Sequence, residues 1–126
     1  MRLNRYDVVE VDNISTVGSV QGKKRPCVIV SNKKGTMNAP IITIIPLTHC
    51  IKREDMPVHG LLEVQQGNGI ETFSMALGEQ IQTICKSQVV RKLGRICSQE
   101  QKNTVNKVCY YSLFYGEKIN WEEVLA

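Results

Sequence analysis

Five cations, Lys23, Lys24, Arg25, Lys33 and Lys34, bracket the apolar run of "VQGKKRPCVIVSNKK" (Val20 to Lys34), and the stretch contains no acid. Cations gathered this closely suit a polyanion, because guanidinium and ammonium groups donate charge-assisted hydrogen bonds to phosphoryl oxygens. A solvated surface is the competing reading. General acid and base work near neutral pH would fall to His49 and His59, the two histidines of the chain. Neither stands in a motif: there is no glycine-rich phosphate loop, no HExxH and no serine nucleophile elbow. The five cysteines, Cys27, Cys50, Cys85, Cys97 and Cys109, include no CxxC pair and no histidine at zinc-site spacing. They are expected to be reduced and mostly packed as small apolar residues. No metal site and no cofactor is expected.

The elements that must position these groups are short strands. "YDVVEVDN" (Tyr6 to Asn13) reads as a β-branched strand, and "STVGSVQGKKRP" (Ser15 to Pro26) as a glycine-bearing loop leading into a buried strand, Cys27 to Ser31. "NKKGTMNAP" is expected as a turn. "IITIIPL" (Ile41 to Leu47) is apolar on both faces, as a central strand would be, with Pro46 suited to its end or to a bulge. Gly60 to Val64 and Ser74 to Ile84 form the next strand pair, around the two glycines of "QQGNGIET". "KSQVVRKL" is expected as a helical turn and "GRIC" as a last short strand.

A helix follows. Ser98 with Gln101 three residues on is a capping-box pattern, and Val105, Val108, Cys109, Ser112 and Leu113 share one helical face, with Gly116 as the stop. "NWEEVLA" is either a short helix capped by Asn120 or a tail. Many short strands with one late helix argue for a mainly β fold: a small, strongly bent barrel, closed or partly open, with a C-terminal α-helix.

A length of 126 residues fits one domain, residues 1 to 126, and 42% apolar against 22% charged residues excludes a disordered chain. The longest apolar run, Ala39 to Leu47, is too short to span a bilayer, and Met1 to Glu10 lacks a signal-peptide pattern, so a cytoplasmic location is expected. The net charge of +4 is unevenly placed. Met1 to Asp55 carries nine Lys and Arg against five Asp and Glu, while the remainder is balanced at seven and seven.

Taken in order, "VGSVQGKKRPCVIVSN", "PIITIIPLTHCIK", "MPVHGLLE" and "SMALGEQIQTICKSQVVRKLGRI" resemble the MazF/PemK family of toxin ribonucleases, over about Arg5 to Leu113. The resemblance implies an SH3-like barrel of the CcdB/MazF type that forms homodimers. It also implies metal-independent cleavage of single-stranded RNA, mRNA included, at short sequences. The products would carry 2',3'-cyclic phosphate and 5'-hydroxyl ends. The catalytic pair carries over to Arg25 and Thr48, and RNA-binding positions to Ser19, Gln21, Lys23, Lys24, Ser31, Asn32, His59 and Gln80. A cognate MazE-like antitoxin with an acidic, disordered C-terminal segment is the implied partner. Val20 stands where many members carry a loop acid, and Gln82 where an arginine is common, which leaves the general base open. The alternatives are a non-catalytic, gyrase-poisoning toxin of the CcdB type and a nucleic-acid-binding barrel. The second would stack bases on aromatic side chains. Here Tyr110, Tyr111, Phe114, Tyr115 and Trp121 cluster near the C-terminus, where core or dimer packing explains them better.

Overall fold

The computed structural model describes residues 1–14 and 24–126. Three strands supply its centre, and each follows from alternating β-branched side chains: β1 (Asp7–Val11), β2 (Arg25–Ile29) and β3 (Ile41–Thr48). Val8 pairs with Val28 and Val28 with Ile45, and these three enter one core with Leu47, Leu62, Ile96, Val105 and Val108. Val9, Cys27, Ile29, Ile42 and Ile44 alternate into a second core with Leu3, Val11, Ile84 and Val89. Both faces of the central strands are therefore buried, as their unbroken apolar runs predict.

The remaining strands are β4 (His59–Leu62), β5 (Ser74–Leu77), β6 (Gln82–Cys85) and β7 (Val89–Arg95). The sheet runs β4-β5-β3-β2-β1-β7 with antiparallel neighbours, and β6 pairs β3 off this path. No pairing joins β4 to β7 among the described residues, so the bent sheet is open. On one edge of β3, residues Ile41 to Ile44 meet β6 and residues Leu47 and Thr48 meet β5. Pro46, which has no N–H to offer, stands where the strand changes partner and is neither its end nor a bulge.

Four sequence expectations need correction. Lys33–Asn38 is a short helix, α1, where a turn was expected. Asn32 caps it by accepting the Gly35 amide at 2.8 Å, and buried Thr36 lies 2.6 Å from the Ser31 hydroxyl. Ser74 to Ile84 is two strands separated by a 3-10 turn, Gly78–Gln80. The Gly78 amide donates to the Val58 carbonyl at 2.9 Å, which pulls the chain out of the ladder. Residues 86 to 95 keep the expected order of turn and strand but move the boundary: the 3-10 turn is confined to Lys86–Gln88, and β7 takes the rest. Finally, α2 (Gln99–Phe114) is capped by Ser98, whose hydroxyl accepts the Gln101 amide at 3.2 Å, but the Gln101 side chain does not return to the cap. It turns inward, donating to the Glu63 carbonyl at 2.9 Å and accepting from Asn68 at 3.0 Å. After Gly116 the chain forms α3 (Trp121–Val124), with Asn120 as its cap.

Two backbone positions are fixed by segments distant in sequence. Tyr6 has φ of 73°, a left-handed conformation that costs a non-glycine residue roughly 1–3 kcal/mol. It is held there by its amide on the Ile29 carbonyl (2.8 Å) and its hydroxyl on Asn106 (3.0 Å). At Gly94 on β7, a Cβ would lie 2.4 Å from the Gly69 nitrogen and 2.6 Å from the Gly67 oxygen, because the 65–70 loop rests its backbone directly on the strand. No helix among the described residues is long and apolar enough to cross a membrane.

Gly94→Ala should accordingly push the 65–70 loop off β7 and lower stability by about 1–3 kcal/mol or more, as overpacking does. Chemical denaturation of this variant beside Lys118→Ala, an exposed control, measures the difference.

Candidate active site

The register of β2 on β3 (Cys27 with Pro46, Val28 with Ile45, Ile29 with Ile44) is antiparallel, and continued by two residues it sets Arg25 across from Thr48. Both side chains are half-buried and open into one groove of about 470 Å³. Lys24 and Arg25 contribute its cationic rim, His49 and Cys50 continue the wall beyond Thr48, and β1 and β7 add Glu10, Arg91 and Leu93. The far wall is Gly69 to Thr72 with Ser74. That wall is positioned by buried polar groups. Asn68 donates to Gln101 (3.0 Å) and to the Glu63 carbonyl (3.1 Å) and accepts the Ile70 amide (3.0 Å), so the loop is tied to the first turn of α2.

Thr48 is fixed in a particular way. Its Oγ accepts the Cys50 amide at 3.1 Å, which leaves the hydroxyl proton to be donated elsewhere. Across the floor, Glu10 and Arg91 are cross-strand partners with Oε1 and Nε 3.5 Å apart. Such a partly exposed pair contributes little stability, about 0–1 kcal/mol. Lys24, Arg25 and Arg91 face Glu10 and Glu71, so the groove is modestly cationic at its Arg25 end. A guanidinium and an oriented hydroxyl lining one groove from two neighbouring strands are donors suited to charge that develops on a tetrahedral or phosphoryl oxygen.

The structure brings Lys24, Arg25 and Thr48 together around one groove, and it places Ser31, Asn32, His59 and Gln80 elsewhere. Ser31 and Asn32 lie beyond the opposite end of β2, about 13 Å along the strand or more from Arg25, and are engaged with α1 and with the Thr43 amide. His59 has a side chain only 7% exposed, with Nδ1 2.8 Å from the Arg53 carbonyl and Nε2 2.5 Å from Glu79. Gln80 sits on the 3-10 turn, and its buried Oε1 has no hydrogen-bond partner among the described residues. Ser19, Gln21 and Lys23, together with Val20, lie outside the described residues.

Glu10, Arg91 and Cys50 were missed as groove residues. Glu10 and Arg91 had a signal, a charge set among the apolar residues of "VVEV" and "QVVRKL". The cysteines correct one expectation: only Cys27 is buried and Cys109 partly so, while Cys50, Cys85 and Cys97 are exposed thiols. Among the described residues, no group of three or more His, Cys, Asp or Glu is arranged to hold a metal ion.

Residues 4–111 match the family described as PemK-like, MazF-like toxin of type II toxin-antitoxin system. The chain is 30% identical over 113 residues to endoribonuclease EndoA of Bacillus subtilis, covering 90% of this chain and 96% of that one. It is 29% identical over 106 residues to endoribonuclease MazF of Staphylococcus saprophyticus, covering 84% and 88%. In fold it is similar to an endoribonuclease solved in complex with its cognate antitoxin from mycobacterial species, with a TM-score of 0.70 at 18% identity over 88% of this chain and 94% of that one. The MazF of a MazE-MazF structure from Deinococcus radiodurans gives 0.66 at 16% identity, over 94% and 100%.

Burial pushes the Cys27 thiol far above its ordinary range and raises that of Cys109, whereas thiolate is the species that alkylates. A maleimide at neutral pH should label Cys50, Cys85 and Cys97 quickly, Cys109 slowly and Cys27 only on unfolding, as peptide mapping by mass spectrometry will read. A molecule seated in the groove should protect Cys50 and leave Cys85 and Cys97 reactive.

Proposed function

Given that the chain belongs to the PemK-like, MazF-like toxin family of type II toxin-antitoxin systems, we propose that it is an endoribonuclease that cuts single-stranded RNA in the groove between β2 and β3. The observation that supports the reading is that Arg25 and Thr48, on neighbouring antiparallel strands, line one recess with Lys24. The names of the two curated relatives support the activity, and the antitoxin complexes among the solved structures support a protein inhibitor. A MazE-like antitoxin with an acidic segment suits the same rim, since carboxylates can replace phosphates on Lys24 and Arg25.

In the reaction the ribose 2'-oxygen attacks the adjacent 3'-phosphorus as its proton leaves. The new 2'-O–P bond forms, the P–O5' bond breaks, and O5' takes a proton. The products are a 2',3'-cyclic phosphate and a 5'-hydroxyl. Negative charge grows on the phosphoryl oxygens through this step, and Arg25 with the Thr48 hydroxyl is placed to hold it. Arginine, with a pKa above about 12, is not the base. The groove offers His49, Glu10 and Glu71 as groups able to accept the 2'-hydroxyl proton. No step requires a divalent ion.

Ser31, Asn32, His59 and Gln80 do not line this groove, so an RNA strand would meet them only beyond it, on the same chain or on a second copy. A two-fold homodimer is the arrangement we adopt. The exposed apolar surface of Leu113, Tyr115, Trp121 and Leu125, beside the ring ladder of Tyr110, Tyr111 and Phe114, supports it.

A long RNA incubated with the protein in excess chelator should be cut at a short recurring sequence, and end mapping should find 5'-hydroxyls. Products with 5'-phosphate, or no cleavage, would refute the reading. Arg25→Ala and Thr48→Ala should each lower the rate about a hundred- to a thousandfold with unfolding transitions close to wild type. Light scattering at micromolar concentration should report twice the 14.2 kDa chain mass.

A further inference from the structure

A second recess, of about 470 Å³ and sharing no lining residue with the groove, opens around the start of β1. Six of its lining residues are cations: Arg2, Arg5, Lys33, Lys92, Arg95 and Lys102. Asp7 is the one acid among them, and it is fully buried and already matched twice, by Lys92 at 3.1 Å and Arg95 at 3.0 Å, besides the Asn4 amide at 2.8 Å. Like charges drawn this close repel one another, and folding gains nothing from the surplus.

The cations are also held in place. Arg5 donates to the Val30 carbonyl and to Asn106 at 2.9 Å, and its guanidinium lies 5.1 Å from the centre of the Tyr6 ring. The Lys102 ammonium lies 5.2 Å from the same ring centre. Tyr6 serves both from its strained left-handed backbone, and strain retained in a pocket is a sign of function. Lys33 adds a further meaning to the cationic stretch of the sequence. Its two ends serve different recesses, Lys24 and Arg25 the groove, Lys33 the second one.

We propose that this recess is a second anchor for the RNA backbone, gripping phosphates of the strand that flank the cleaved step and so raising affinity for RNA longer than the groove can hold. The inference rests on the ribonuclease reading. A recess of this size admits about one nucleotide, within the range of roughly 300–1,000 Å³ typical of ligand sites. Its polar groups are donors of the kind that bind phosphate, and the Tyr6 ring is committed to the two cations and not offered to a base. Sequence-independent backbone contact is therefore the mode of recognition, and the Tyr6 amide, which donates to the Ile29 carbonyl at 2.8 Å, ties the recess to the strand that carries Arg25.

The test uses the full chain and RNA that cannot be cut, 2'-deoxy at the scissile position, in lengths of about 5 and about 15 nucleotides, spanning typical single-strand site sizes. The variant Arg2→Ala/Lys33→Ala/Lys102→Ala spares the Asp7 cluster and every groove residue. Wild type should bind the long RNA at least ten times more tightly than the short. The variant should bind the short RNA as wild type does and cut its all-ribose counterpart at the wild-type rate, lose the gain with length, and show a log Kd against log salt slope shallower by about 2 between roughly 50 and 200 mM, at about 0.7 per phosphate contact. Should the triple variant fail to fold, Lys33→Glu on the exposed start of α1 should lose the same gain. A variant that keeps both the length gain and the slope overturns the proposal. So does one that binds long RNA normally but loses affinity for an acidic antitoxin segment, which would assign the recess to a protein partner. If wild type neither binds nor cuts RNA of either length, the ribonuclease reading falls and the anchor with it.

Discussion

Strand β3 has no free face and no free edge along most of its length, and the rest of the molecule is arranged around that constraint. Its side chains alternate between two cores, β2 occupies one edge, and β6 and then β5 occupy the other. A strand so enclosed cannot slip by one residue without turning a whole apolar set to the wrong side. Thr48 ends this strand, so the hydroxyl at the groove inherits the positional certainty of the core. The partner change at Pro46 falls two residues before Thr48, beside the groove.

Much of this was legible because it rests on local pattern. The two-sided apolar run Ile41 to Leu47, the β-branched run after Tyr6 and the Ser98 cap all describe what one segment buries or bonds by itself. The misread segments were those whose form is imposed from elsewhere. Gly78 leaves the ladder because Val58 and Val108 occupy the space around it, and no feature of Ser74 to Ile84 records that. Gln101 satisfied a local rule at its amide while its side chain answered to Asn68 and Glu63, far away in sequence. Helix α1 was hidden by Gly35 and two asparagines, weak helix formers, and is held by Thr36 beneath it.

The site divides in the same manner. Arg25 and Thr48 were singled out through family likeness, and both line one groove although they stand 23 positions apart in the chain. Glu10, Arg91 and Cys50 entered the groove only through strand pairing and the end of β3, relations that a linear reading does not contain. Ser31 and Asn32 were legible as polar residues after a strand, but their engagement with α1 was not.

The groove draws on Glu10 of β1 and Leu93 of β7, and β1 meets β7 across 77 residues of intervening chain. On a ribosome, synthesis proceeds from the N-terminus, and pairings between distant segments form late. The recess therefore does not exist on a nascent chain until β7 has been made, and its far wall waits longer, for the first turn of α2 to supply Gln101. A chain whose finished form attacks messages would in this way be harmless to the message that encodes it for most of the time it is being translated.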